Sequence, residues 1–122
     1  MNFIYVFLGG GIGSVVRYLL GLIFQKSNLQ LPLSTFLANL IACLSFALFL
    51  KWSEGKMDVN ENFKFFILTG ICGGLSTFST FSHETFALIK SGQTLWALIN
   101  IALSLIMGIG IFFIYMPKNT AG

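Results

Sequence analysis

The stretch GGLSTFSTFS, residues 73–82, interrupts the third long apolar run of a 122-residue chain. Two glycines lead into a repeated Thr-Phe-Ser pattern, so five hydroxyl side chains and two phenyl rings fall within residues 76–82. Glycine weakens a helix, and non-helical backbone at membrane depth is tolerated only where protein buries it or where it lines a polar cavity. We therefore expect this segment to be internal and to break a membrane helix.

The sequence around this stretch is typical of an integral membrane protein. It is 56% hydrophobic and 9% charged, whereas soluble domains carry about 25% charged residues. Crossing a bilayer core takes about 20 apolar residues in a helix, and four such runs nearly fill the chain. We predict one all-α membrane domain over residues 1–122, with helices at about 3–24, 33–50, 63–89 and 95–116. The third helix is broken near its middle.

The polar connections are short, so consecutive helices should be antiparallel and both termini should lie on one side of the membrane. Pro117 should end the fourth helix. The first apolar run has no basic leader and is followed by three more, so we expect an uncleaved, multi-pass protein of the cell (inner or plasma) membrane, surrounded by lipid. Cys43 and Cys72 occur singly within helices and should behave as small apolar side chains.

Positive residues normally mark cytoplasmic loops, and here they are evenly divided. The side with both termini carries four lysines, and the other side carries two, plus Arg17 if its side chain extends to that end. The lysines are Lys51, Lys56, Lys64 and Lys118, against Lys26 and Lys90. This balance favours insertion in both orientations and pairing as an antiparallel homodimer. The net charge of +3 is small and dispersed, so we expect no nucleic-acid partner.

Two glycine pairs predict close contact between helices. Gly9 and Gly13 in helix one, and Gly70 and Gly74 in helix three, each have the GxxxG spacing that lets backbones approach. The first pair does not match a nucleotide-binding loop, because Ser14 occupies the third glycine position and no strand precedes it.

Two polar residues within the helices each have two interpretations. Arg17 either extends to the interface or places a positive charge at the mouth of an anion path. Asn39 lies about 10 Å into helix two at 1.5 Å per residue. Its amide either bridges two helices or presents its NH₂ group to an anion in a pore.

The interruption also places aromatic rings beside hydroxyls. Phe78 and Phe81 share a helical face, and a phenyl ring has a positive edge. Ring edges and neutral donors can dehydrate an anion without a full charge that would trap it. The donors are the hydroxyls of Ser79, Thr80 and Ser82 and the Asn39 amide. The alternative is ordinary Phe packing, with hydroxyls bonded back to carbonyls in the same helix. Freed carbonyls at the interruption could bind a small cation.

The adjacent His83 and Glu84 do not indicate an enzyme. Ser82, His83 and Glu84 are consecutive, and helical neighbours point about 100° apart, so they cannot form a catalytic triad. Glu84 is either a carboxylate coupled to protons or cations or an acceptor for hydroxyls. Two rival functions are a proton-coupled multidrug transporter with four helices and a haem-binding anchor using His83. Such a transporter needs a carboxylate in helix one, where this chain has Arg17.

At these residues the sequence resembles the CrcB/Fluc family of fluoride channels. GGGIGSVVRY, residues 9–18, resembles the family pattern GGxxGAxxRY, and GICGGLSTFSTF, residues 70–81, resembles GxxGGxTTFSTF. Asn39 falls on the family's asparagine in helix two. Ser14 replaces the usual alanine, and Ser76 replaces the usual threonine.

The resemblance implies a fluoride-selective channel that exports fluoride passively, built as an antiparallel, dual-topology homodimer with two pores. It implies that Phe78 and Phe81 form aromatic boxes and that backbone carbonyls of Gly73 and Ser76 from both subunits hold a structural Na⁺ at the dimer centre. The implied pore residues are Asn39, Phe78, Ser79, Thr80, Phe81, Ser82 and Ser104, with Arg17 near the vestibule and Glu84 close to the pore in an open role.

Overall fold

The computed structural model describes residues 2–25, 32–56 and 58–116, which form helices and connecting turns without a strand among them. Three long helices are continuous: α1 (Asn2–Phe24), α2 (Leu33–Ser53) and α6 (Thr94–Tyr115). Between α2 and α6 lie α3 (Glu61–Phe65), a π-helical segment (Phe66–Cys72), α4 (Gly73–Leu75) and α5 (Phe78–Lys90). We call Glu61–Lys90 the third span.

Within the described ranges, four helical spans are long and apolar enough to cross a membrane, namely α1, α2, the third span and α6. The expectation of an all-helical chain with four long apolar helices, one of them interrupted, is confirmed. The second helix continues three residues beyond the predicted end, to Ser53. The predicted helix stop at Pro117 and the charges of Lys26 and Lys118 lie outside the described residues.

The predicted position of the interruption, at Gly73 and Gly74, is wrong by three residues. Both glycines continue the helix as α4, with Gly73 at φ −66° and ψ −36°. The backbone becomes extended at Ser76 (φ −80°, ψ 153°) and Thr77 (φ −153°, ψ 121°). The missing side chain of Gly74 serves close packing rather than a turn, because a Cβ there would lie 3.0 Å from the Gly10 Cα.

The crossing of α1 and the third span depends on the two glycine pairs, and the predicted close contact is confirmed. A Cβ added to Gly70 would lie 2.9 Å from the Gly9 Cα, and one added to Gly13 would lie 2.8 Å from the Leu75 nitrogen. Real Cβ atoms do not approach backbone so closely, so no larger residue fits without separating the helices. This contact fixes the segment just before the break against α1.

The remaining helices pack around a small core that borders the break. The core joins α2 to the third span through Ala38, Ala42, Cys72 and Leu75, so Cys72 is buried among apolar side chains as expected. Phe46 of α2 meets Phe112 of α6 edge-on, with ring centroids 5.8 Å apart. The outward faces of α1 and α6 leave many large apolar side chains exposed.

Candidate functional site

The break in the third span redirects two backbone N–H groups and leaves two carbonyls without their helical donors. In a continuous helix the Thr77 N–H would donate to the Gly73 carbonyl, but here it donates to Oδ1 of Asn39 at 2.9 Å. The Thr80 N–H would reach the Ser76 carbonyl, but it donates to Oγ1 of Thr77 at 3.3 Å. The carbonyls of Gly73 and Ser76 therefore lack their helical donors.

Arg17 lies at this break rather than at either end of α1. Its Nε donates to the Gly74 carbonyl at 3.2 Å, and the side chain is half-buried. Gly74 is in the last turn before the break, where carbonyls have no helical donors and a cation is favourable. The Arg17 side chain therefore does not extend to the membrane interface in this structure. The guanidinium instead caps the end of α4.

A cavity of about 260 Å³ opens beside the break, where α2, α5 and α6 meet. It brings together four of the predicted pore residues: Asn39, Phe78, Phe81 and Ser104. The two phenyl rings have centroids 6.3 Å apart and planes tilted by 38°. The full lining is Asn39, Ser76, Thr77, Phe78, Phe81, Ser104 and Leu105. None of these residues carries a charge, so the cavity is uncharged, with mostly apolar walls and a few polar groups.

Two hydrogen-bond donors on this cavity have no acceptor among the described residues. Asn39 uses Oδ1 to accept the Thr77 N–H, and an oxygen must occupy that position because the partner is a donor. Its Nδ2 is thus the amide atom left over, and it donates to no described atom. The Ser104 hydroxyl is buried and has no partner in the same part of the chain. A buried hydroxyl without a partner, such as that of Ser104, is rare unless a ligand or water binds it.

Three other predicted pore residues do not line the cavity in the single chain. Ser79 is exposed, with Oγ 3.3 Å from Oγ1 of Thr77, and Thr80 and Ser82 are partly buried on α5. Their pore roles stay predictions. Thr77 does line the cavity, and the sequence reasoning did not single it out. The available signal was its place before a helix, since threonine is favoured as an N-cap, and its Oγ1 caps α5.

Glu84 is hydrogen-bonded to α2 and does not line the cavity. Its Oε2 accepts a hydrogen bond from Oγ1 of Thr35 at 3.0 Å, and Thr35 is buried. The other carboxyl oxygen, Oε1, is buried without a partner in the described chain. The contact matches the predicted alternative in which Glu84 accepts bonds from hydroxyls. His83, beside it, is exposed.

A second buried polar group lies one helical turn from the cavity and was missed by the sequence reasoning. Asn100 of α6 is 1% exposed, and its Nδ2 donates to Oγ1 of Thr85 at 3.0 Å. Thr85 in turn donates to the Phe81 carbonyl at 2.8 Å. An asparagine within the apolar run ALINIALS, residues 97–104, was the signal that could have revealed it.

Comparisons with known proteins agree on one family. The family model described as "CrcB-like protein, Camphor Resistance (CrcB)" matches residues 4–116. A protein of Flavobacterium psychrophilum named "Fluoride-specific ion channel FluC" is 43% identical over 106 residues, which is 86% of each chain. Proteins of the same name from an Enterobacter species and from Klebsiella pneumoniae are 43% and 41% identical over 101 residues, covering 83% of this chain and 80% of theirs.

Proposed function

The chain belongs to the CrcB-like protein family, and we propose on that basis that it is a fluoride-selective channel through which fluoride leaves the cytoplasm passively. Its relatives are named as fluoride-specific ion channels and match it over most of their length. It is a multi-pass membrane protein with four apolar helices, and an ion channel rather than an enzyme. Beyond this, we propose how the anion is coordinated, that two chains form a dimer, and that a sodium ion lies between them.

The neutral cavity at the break is the observation that supports anion passage most strongly. A small anion gives up water only if donors replace it, and the Asn39 Nδ2 and the Ser104 hydroxyl are donors without acceptors in the described part of the chain. The edges of Phe78 and Phe81 add weakly positive C–H groups. Because no lining residue carries a full positive charge, the anion is bound weakly enough to leave again.

The exposed part of the break supports assembly with a second copy. Phe78 is 80% exposed, and Gly73 and Ser79 are exposed beside it. Lipid cannot satisfy extended backbone and hydroxyls at membrane depth, so protein has to cover them. A second copy of this chain, placed antiparallel as the balanced loop charges favour, would bury these groups and close the cavity into a path. Two copies would then form two paths.

The carbonyls of Gly73 and Ser76 fit a sodium ion between the two copies. They lack helical donors, and hard cations such as Na⁺ prefer oxygen ligands. Two carbonyls from each subunit would give four oxygens. The Ser76 hydroxyl donates to the Cys72 carbonyl at 2.9 Å, so it is engaged within its own helix. Serine in place of the family's threonine therefore leaves the carbonyl ligand unchanged. The positive charge of the ion would attract the carbonyl oxygens at the breaks of both copies and so hold the two chains together.

Efflux from liposomes tests the proposal. Purified protein is reconstituted into vesicles loaded with potassium fluoride or potassium chloride, valinomycin is added, and an electrode for each anion records its release. We expect rapid fluoride release and essentially no chloride release. Equal rates for both anions, or no fluoride release by folded protein, would overturn the proposal. Proton-driven accumulation of a cationic drug in the same vesicles would favour the transporter alternative instead.

A further inference from the structure

We infer that Asn100 and Thr85 are positioning residues that set the distance between Phe81 and Ser104 across the cavity, and thereby its selectivity by ion size. This inference rests on the proposed function. It concerns residues that do not line the cavity and that act through Phe81.

The hydrogen bonds of this pair have a fixed direction. Thr85 has one hydroxyl proton, and it is used on the Phe81 carbonyl at 2.8 Å. Its oxygen is therefore the acceptor for Nδ2 of Asn100 at 3.0 Å. Asn100 is 1% exposed and Thr85 is 8% exposed, so neither bond can be replaced by water. Chains of buried hydrogen bonds strengthen one another and favour a single arrangement.

The positions of these residues link the pair to the cavity. Thr85 follows Phe81 by four residues in α5, and Asn100 precedes Ser104 by four residues in α6. Residues four apart are neighbours on one helix face. The Thr85 to Asn100 bond therefore joins α5 and α6 one turn away from the place where Phe81 and Ser104 face the same cavity. Loss of the bond would let the two walls separate.

Thr85 contacts Phe81 through the Phe81 backbone carbonyl. A change in the backbone at Phe81 changes the orientation of its ring. The Phe81 carbonyl accepts the hydroxyl of Thr85 in addition to the helical N–H bond, and such back-bonding bends a helix locally. Phe81 lies in the first turn of α5, directly after the break, where few other bonds hold the helix. Its orientation therefore depends on this contact more than that of a residue in mid-helix would.

The test compares variants of Thr85 in the liposome efflux assay. Thr85→Val keeps the shape and removes the hydroxyl, whereas Thr85→Ser keeps the hydroxyl. We expect Thr85→Val to lower the ratio of fluoride to chloride release about fivefold, the factor for losing one neutral hydrogen bond. Thr85→Ser should restore the wild-type ratio. Asn100→Ala, which removes the other donor, should resemble Thr85→Val. A matched control is Ser91→Ala, which deletes the exposed hydroxyl bond to the Leu88 carbonyl.

Each outcome decides the inference separately from the proposed function. If the wild type releases no fluoride, the proposed function fails. If the wild type is selective and folded Thr85→Val or Asn100→Ala keeps its full ratio, the positioning role is wrong. Lower thermal stability with an unchanged ratio would mark the pair as structural only and would also overturn the inference, as would failure of both variants to fold.

Discussion

Replacing Asn39 by Asp separates the two jobs that the structure gives this side chain. The substitution keeps the shape and keeps an oxygen to accept the Thr77 N–H, which now lies 2.9 Å from Oδ1. It replaces the amide nitrogen on the cavity side by a second, negatively charged oxygen. The helix break should therefore survive, while the anion meets repulsion in place of a donor.

The size of the effect follows from the size of the cavity. A volume of about 260 Å³ is that of a sphere about 4 Å in radius. Two like charges about 4 Å apart repel by about 4 kcal/mol at an effective dielectric constant of about 20, which is roughly a thousandfold in rate. The loss of a hydrogen bond to a charged group alone is worth about 1.5–3 kcal/mol. We expect fluoride efflux to fall by at least about tenfold and at most about a thousandfold.

The assay is fluoride efflux at pH 7, normalised to folded protein measured by size-exclusion chromatography. The matched control is Asn60→Asp, because Oδ1 of Asn60 likewise accepts a backbone N–H, that of Asn62, at 2.7 Å. It lies at the exposed start of α3, so the same chemical change should leave efflux unchanged. Wild-type efflux from folded Asn39→Asp protein would refute the reasoning, since it would mean that the ion does not meet the amide nitrogen.

Two further predictions concern the rings and the glycine crossing. Phe81→Ile keeps bulk but removes the ring edge, so fluoride efflux should slow by about tenfold. The control is Phe113→Ile, at a ring of α6 that is 81% exposed. Equal efflux rates for the two variants would argue against ring-edge contact. Gly13→Ala places a Cβ 2.8 Å from the Leu75 nitrogen and should lower stability by about 1–3 kcal/mol, seen as a lower thermal transition in detergent. Gly21→Ala, with no atom of the described residues outside its own helix backbone within 4 Å of its Cβ position, should not. A normal transition for Gly13→Ala would contradict the packing described above.

Hydropathy alone predicted the four helices, because a membrane span must be long and apolar whatever its tertiary contacts. The position of the break was not predictable in the same way. Glycine propensity pointed to Gly73 and Gly74, but Gly74 is needed for contact with α1. The chain leaves the helix at Ser76 and Thr77, where Asn39 offers an acceptor for the displaced N–H. That bond joins residues 38 positions apart, which no local pattern reveals.

The candidate site was predictable in its residue types more than in its bonds. Spacing and resemblance selected Asn39, Phe78, Phe81 and Ser104, and the fold places all four on one cavity. The hydrogen bonds at the site came only from the structure. Arg17, for example, could reach several partners, and its bond to the Gly74 backbone carbonyl could not be predicted from the sequence. Thr77 and Asn100 had local signals, an N-cap position and an asparagine in an apolar run, but the bond from Asn100 to Thr85 joins two helices and no local pattern reveals it.

A structure of the reconstituted protein determined in fluoride tests the coordination of the anion most directly. We predict an antiparallel pair of chains, with an anion within hydrogen-bond reach of the Asn39 amide nitrogen or the Ser104 hydroxyl and against the edge of Phe81. Rings of Phe78 and Phe81 turned outward into lipid, with no polar path beside them, would contradict the account.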